Sequence, residues 1–160
     1  MNRSRMIALG AILTTLTTVT TAIIQIPIPQ TKGYINFGDM LVIFSGLLLG
    51  PYLGFFAGGV GSALADILTG YGNWAPFTLV IKGLEGFIVG VFAKKGRKIA
   101  LLGAICGGLE MVIGYFMIEY FLYGTGAALA ELPGNIMQAT VGIIFGTSVY
   151  QIIHRGLKRT

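Results

Sequence analysis

Charge is what this sequence has least of. Only 11% of its 160 residues are Asp, Glu, Lys or Arg, against about 25% in an ordinary soluble domain. A single cysteine, Cys106, excludes an intramolecular disulfide framework, and with one histidine, His154, a zinc site of the usual Cys/His type is hard to build. No Gly-x-x-x-x-Gly-Lys-Ser/Thr phosphate loop occurs, so the chain cannot by itself hydrolyse ATP in the P-loop manner; an energised process would draw on another subunit. Gly-x-Ser-x-Gly, His-Glu-x-x-His and Cys-x-x-Cys are missing as well, which argues against a membrane enzyme.

What fills the chain instead is apolar surface, 54% hydrophobic residues, and 25 glycines. Its solvent is lipid. A bilayer-spanning helix needs about 20 mostly apolar residues, so a single transmembrane domain over 1–160 consumes nearly everything. Hydrophobic runs and their breakers predict an all-α integral membrane bundle of six transmembrane helices, at about 6–26, 39–50, 52–69, 77–93, 99–123 and from Leu132-Pro133 to His154. The second is short for a crossing unless tilted or extended through the preceding loop. Pro27, Pro29 and the polar residues after them break the first span. The basic residues fall in three clusters: Arg3 and Arg5; Lys94, Lys95, Arg97 and Lys98; Arg155, Lys158 and Arg159. With six crossings all three lie on one face, which the positive-inside rule makes the cytoplasm, together with both termini. The N-terminal segment also has the look of a signal peptide, but its apolar run is too long and further spans follow.

Ionisable residues inside apolar runs cost about 2.5–3.5 kcal/mol each on insertion scales, so each is a site hypothesis. Asp39, Asp66, Lys82, Glu85, Glu110 and Glu119 form this set, most of it in the outer half. A rise of about 1.5 Å per residue puts Lys82 and Glu85 roughly 8–12 Å below the outer end of their span. Three residues apart, they share a face and could neutralise each other. Asp66 could pair with Lys82, and Asp39 could cap the second span. Polar and aromatic side chains gather on the same side: Tyr34, Asn36 and Phe37, then Tyr71, Asn73, Trp74 and Phe77, then Tyr115, Asn135 and Gln138. An interfacial belt explains Tyr120 and Tyr123. Trp74, between glycines and a proline, instead suggests a flat surface beside buried charge, suited to a small, planar, polar heterocycle. Small residues recur at Gly54, Gly58 and Ser62, at Ala57, Gly61 and Ala65, at Ala8, Ala11 and Thr15, and at Gly10, Thr14 and Thr18. Such tracks mean close helix packing, or a smooth face toward another membrane protein.

Nearly the whole chain resembles the substrate-binding S components of energy-coupling factor (ECF) vitamin transporters. The likeness rests on the six spans, the small-residue first helix and the stretch Gly33-Tyr34-Ile35-Asn36-Phe37-Gly38-Asp39 running on to Leu49-Gly50-Pro51. The segment from Ala57 to Asp66 and Ile81-Lys82-Gly83-Leu84-Glu85-Gly86 extend it. These segments look most like the branch associated with pyridoxine-type vitamers and the hydroxymethylpyrimidine precursor of thiamine. Ile12 stands where an Ala-x-x-x-Ala in the first helix would place its second alanine. The resemblance implies a vitamin held in a pocket that opens outward beneath the loop joining the first two helices. It further implies partnership with a transmembrane coupling protein (the T component) and two ABC-type ATPases, and no cofactor. The expected pocket comprises Tyr34, Asn36 and Asp39 on the lid side, Trp74 as a stacking surface, Lys82 and Glu85 as a polar floor, and Glu110, Tyr115 and Gln138. The rival reading is a self-sufficient carrier or channel that uses the buried charges as an ion path.

Overall fold

The first helix opens on a cap written into the sequence: the Asn2 side chain accepts a hydrogen bond from the Arg5 amide at 2.9 Å, and α1 runs Arg3–Ile23. The computed structural model describes residues 2–157; the basic positions Lys158 and Arg159, and the side chains of Arg97, Lys98, His154 and Arg155, lie outside the described residues. After α1 the chain forms a hairpin, β1 (Gln25–Ile28) and β2 (Gly33–Asn36), antiparallel, with Ile26 opposite Ile35 and Pro27 opposite Tyr34. The all-α expectation is corrected here. Prolines 27 and 29 do stop the helix, but Pro27 is tolerated in a two-stranded ribbon with free edges, and the isoleucines around it favour extended backbone.

Five more helices follow: α2 (Asp39–Leu49), α3 (Pro51–Thr69), α4 (Ala75–Ala93), α5 (Arg97–Tyr123) and α6 (Thr125–Leu157). Among the described residues, all but α2 contain a stretch long and apolar enough to cross a membrane. The 11 residues of α2 span only about 16 Å. The helix is wrapped by α4 and α6, with Val42, Ile43 and Ser45 fully buried. Its length is therefore set by protein neighbours more than by lipid. Gly50, at φ +82°, turns the chain sharply, and Pro51 opens α3, where its missing N–H costs nothing.

Three of the four small-residue tracks are packing surfaces. A Cβ on Gly54 would stand 2.6 Å from the Gly86 carbonyl oxygen, and one on Gly58 would stand 2.5 Å from that of Lys82, so α3 and α4 touch backbone to backbone. A π-helical turn at Phe56–Val60 shifts the phase of α3 by one residue. Gly61 beyond it meets α1, where the Thr18 hydroxyl donates to the Gly61 carbonyl at 2.8 Å. On α1 the Gly10–Thr14–Thr18 track turns inward, while Ala8, Ala11 and Thr15 are exposed beside Ile7, Ile12 and Leu16.

The last helix departs furthest from expectation. It starts at Thr125, directly after Gly124 (φ +86°), so Pro133 lies inside the helix and not in its first turn. The helix-forming run Ala127-Ala128-Leu129-Ala130 outweighs the single backbone bond that the proline forfeits. This adds about 10 Å of helix on the hairpin side of the bundle.

Replacing Gly54 with valine should lower stability by about 1–3 kcal/mol, the usual cost of overpacking. Gly72→Val, at a position with open space around it, should not. Thermal unfolding in detergent measures both, and equal midpoints for the two variants would mean that the α3–α4 contact yields easily.

Candidate functional site

The site grows from one buried cation. Lys82 on α4, 1% exposed, is ion-paired with Asp39 at the start of α2 and with Glu85 one turn along its own helix, the latter at 3.1 Å. The predicted intrahelical pair is present, but as one arm of a triad. Asp39 is not a cap: Gly38 takes that position, and the Asp39 carboxylate turns to Lys82, because an uncompensated ammonium away from water costs far more than an unmade cap bond. Gln138 on α6 completes the group. Its Nε2 donates to Asp39 Oδ1 at 3.1 Å, and its Oε1 accepts from the Asn36 amide of β2 at 2.7 Å. A continuous polar chain thus runs from α4 through α2 and α6 to the hairpin.

Above the triad lies a cavity roofed by β2. Gly33, Tyr34 and Asn36 line it from the hairpin, Thr21 from α1, and Ser62 and Asp66 from α3. Trp74, Thr78 and Lys82 line it from α4 and its cap, Tyr115 from α5, and Glu131, Asn135 and Gln138 from α6. It takes in about 400 Å³ of unfilled space, with about 20 Å³ of room for the centre of a water molecule. The roof is tied down by Tyr34, whose hydroxyl donates to Asp66 Oδ1 at 2.5 Å and whose ring lies 4.5 Å from that of Tyr71. Burial, then the neighbouring Asp66 charge, push the Tyr34 hydroxyl above the usual tyrosine range, so it remains a donor. On the opposite wall the Trp74 ring packs among Phe77, Tyr115 and Tyr123, and the Tyr115 hydroxyl donates to Thr78 at 3.2 Å. Asn135 Nδ2 donates to Glu119 Oε1 at 3.1 Å.

Four buried polar atoms of the lining residues have no hydrogen-bond partner among the described residues: Thr21 Oγ1, Asp66 Oδ2, Trp74 Nε1 and Glu131 Oε2. Native structures rarely leave such atoms unpaired. Here both donor and acceptor capacity are left over around one space. A second hollow, with about 800 Å³ of unfilled space by the same measure, lies outside, between the hairpin tip and residues 70–73, and Gly33 borders both spaces.

Residues 1–155 match the family described as "ECF-type riboflavin transporter, S component". The chain belongs to the ECF transporter S components. It is 51% identical over 140 residues to an uncharacterized protein of Pyrococcus woesei, covering 86% of this chain and 94% of that one. It is 32% identical over 150 residues to the thiamine precursor transporter HmpT of Lactococcus lactis subsp. cremoris, covering 93% and 87%. A solved S component of a bacterial ECF transporter shares the fold, with a TM-score of 0.64 at 21% identity over 99% of this chain and 98% of that one. The protein is membrane-embedded, as its family and its apolar helices require.

In this S component, six of the nine predicted positions line the cavity: Tyr34, Asn36, Trp74, Lys82, Tyr115 and Gln138. Asp39 and Glu85 stand one bond behind, holding Lys82. Glu110 is half-buried on α5 and is not among the lining residues. Trp74 is not an open stacking plate: it is only 4% exposed, its ring is engaged by three aromatics, and its N–H is the group left unpaired. Tyr123, expected in an interfacial belt, is one of those three, while Tyr120 is exposed. Asp66 binds Tyr34 instead of Lys82.

Glu131 was outside the predicted set because the last span was begun at 132. Its signal was the alanine-rich run before it, which carries the helix outward and buries Glu131 to 4%. Replacing Tyr34 with phenylalanine in this S component should release the roof by about 1–3 kcal/mol, the cost of stranding a buried carboxylate. Amide hydrogen exchange over residues 33–36 should then quicken at least fivefold, and unchanged exchange would show that the Tyr34–Asp66 bond does not hold the hairpin.

Proposed function

We propose that this S component captures a small planar nutrient from outside the cell, hydroxymethylpyrimidine or a vitamin B6 vitamer such as pyridoxine, in the cavity beneath the hairpin. It crosses the membrane six times with both termini in the cytoplasm, and it delivers its ligand through an ATP-driven complex of a transmembrane coupling protein (T component) and two ABC-type ATPases. The observation that carries this reading is the unpaired set Thr21, Asp66, Trp74 and Glu131 around one cavity, a mix of polarities that a ligand bearing both donors and acceptors would satisfy. The missing phosphate loop supports the division of labour with separate ATPases.

The size of the space favours a single ring over a flavin. Its free room holds about one water. A six-membered ring with short polar arms needs the hairpin to shift. A three-ring compound needs Trp74 and Tyr115 to part as well, and these are packed against each other with ring centroids 5.9 Å apart. Descent from an ancestor shared with the thiamine precursor transporter HmpT points the same way.

Mass spectrometry of the small molecule that co-purifies with the protein should identify a substituted pyrimidine or pyridine. Trp74→Phe and Thr21→Val, each removing one unpaired group, should weaken its binding about tenfold, in line with about 1–1.5 kcal/mol for a neutral hydrogen bond. Reconstituted alone, the chain should move no ligand under an ion gradient. Uptake under those conditions would replace this reading with a self-sufficient carrier.

A further inference from the structure

The charges around the cavity do not balance. Among the described lining residues Lys82 is the one cation, and its ammonium is already held by Asp39 and Glu85. Two further carboxylates, Asp66 and Glu131, reach the wall, each with a buried oxygen that accepts no hydrogen bond. Glu119 stands behind Asn135. Lys32 lines the outer hollow and not the cavity. The unsatisfied groups are therefore two carboxylate acceptors, Asp66 Oδ2 and Glu131 Oε2, against the single N–H of Trp74, with the Thr21 hydroxyl serving in either sense.

From this imbalance we infer that the cavity discriminates by charge: it takes an uncharged or cationic heterocycle that donates hydrogen bonds to Asp66 and Glu131, and it rejects the phosphate ester of the same compound. The inference rests on the cavity being the nutrient site. A phosphate dianion only accepts, and a buried one needs a cation or several well-placed donors in return. Here it would meet carboxylates across a few ångströms of poorly screening protein, where like charges repel strongly. Protonating a carboxyl reduces that repulsion but supplies no cation. Freeing Lys82 for the phosphate would strand Asp39 and Glu85. A donor-bearing ligand encounters none of these costs. Its N–H or O–H groups fill the two open carboxylate positions, and one ring acceptor answers Trp74.

The test uses the wild-type protein in lipid nanodiscs and calorimetry with matched compounds: hydroxymethylpyrimidine, pyridoxine and riboflavin, each against its phosphate monoester and its neutral acetate ester. For whichever parent binds, the phosphate ester should bind at least 100-fold more weakly than the parent and at least tenfold more weakly than the acetate ester, which carries bulk without charge. A phosphate ester within threefold of its parent overturns the inference while leaving nutrient capture standing. Equal losses for acetate and phosphate overturn it too, because bulk alone would then explain rejection. If no parent compound binds, the nutrient reading itself fails and the charge rule falls with it. Glu131→Gln, in a protein that still binds the parent, should shrink the gap between phosphate and acetate esters; an unchanged gap overturns the assignment to Glu131.

Discussion

An ammonium group removed from water must be answered by carboxylates, and in this bundle that demand fixes the geometry of everything above it. Lys82 finds Asp39 and Glu85. Asp39 is the first residue of α2, and β2 ends three residues before it. Tethering Asp39 to α4 thus sets where α2 begins and, through the short link Phe37-Gly38, where the hairpin leaves the bundle. Gln138 repeats the tie from α6, joining Asp39 to the backbone of Asn36. The roof of the cavity is anchored to its floor by the same atoms that neutralise the floor. A buried ion pair is a poor source of net stability, but removing one partner is very costly, so it specifies one arrangement of three helices.

The closeness of those helices comes from glycine. In lipid no hydrophobic force drives helices together, so packing and polar contacts must do it. The backbone contacts of Gly54 and Gly58 with α4, and the close approach of Gly142 to Asp39, where an added Cβ would stand 2.6 Å from the Asp39 Cβ, let side chains on neighbouring helices reach one another across the interior. The π turn in α3 extends this to two partners, presenting glycines to α4 before it and to α1 after it. It lies two turns before Asp66, so the phase it sets also aims that carboxylate at Tyr34. Large side chains are left to the outside, where Leu68 and Phe121 are more than 70% exposed.

Helix positions were legible in the sequence because apolar runs ending at Gly or Pro leave few alternatives, and the membrane-buried Lys82–Glu85 pair was legible because charge in such a run is conspicuous. The partner of a charge is a different matter. In the sequence Asp39 reads as a cap and Asp66 as the candidate partner of Lys82, and only the approach of α2 to α4, a tertiary fact, makes Asp39 the counter-ion. The hairpin was hidden by its prolines, which signal a break in helix but are silent on what replaces it. Glu131 was hidden by Pro133, since the proline marks a helix start far more often than a helix interior. Trp74 was read as a loop residue by its neighbours in sequence, whereas its burial is conferred by Tyr115 and Tyr123 on another helix.

These features together describe a site held ready at a cost. A buried polar group left without any partner costs about 1–3 kcal/mol, and four atoms without a partner among the described residues border one small cavity. The backbone-to-backbone helix packing sustains that cost, because groups fixed on rigid helices cannot relax toward one another. On the proposed reading, a ligand that offers complementary donors and acceptors relieves it, entering beside Gly33, which borders both spaces. A side chain at position 33 would come within 3.4 Å of Glu131 Oε1 and 3.5 Å of Trp74 Nε1, partly occupying the place of such a ligand. Glycine there keeps the polar wall open. In the proposed function the hairpin's hold on the bundle through Tyr34 and Asn36 opposes entry, and the unpaired atoms beneath favour it.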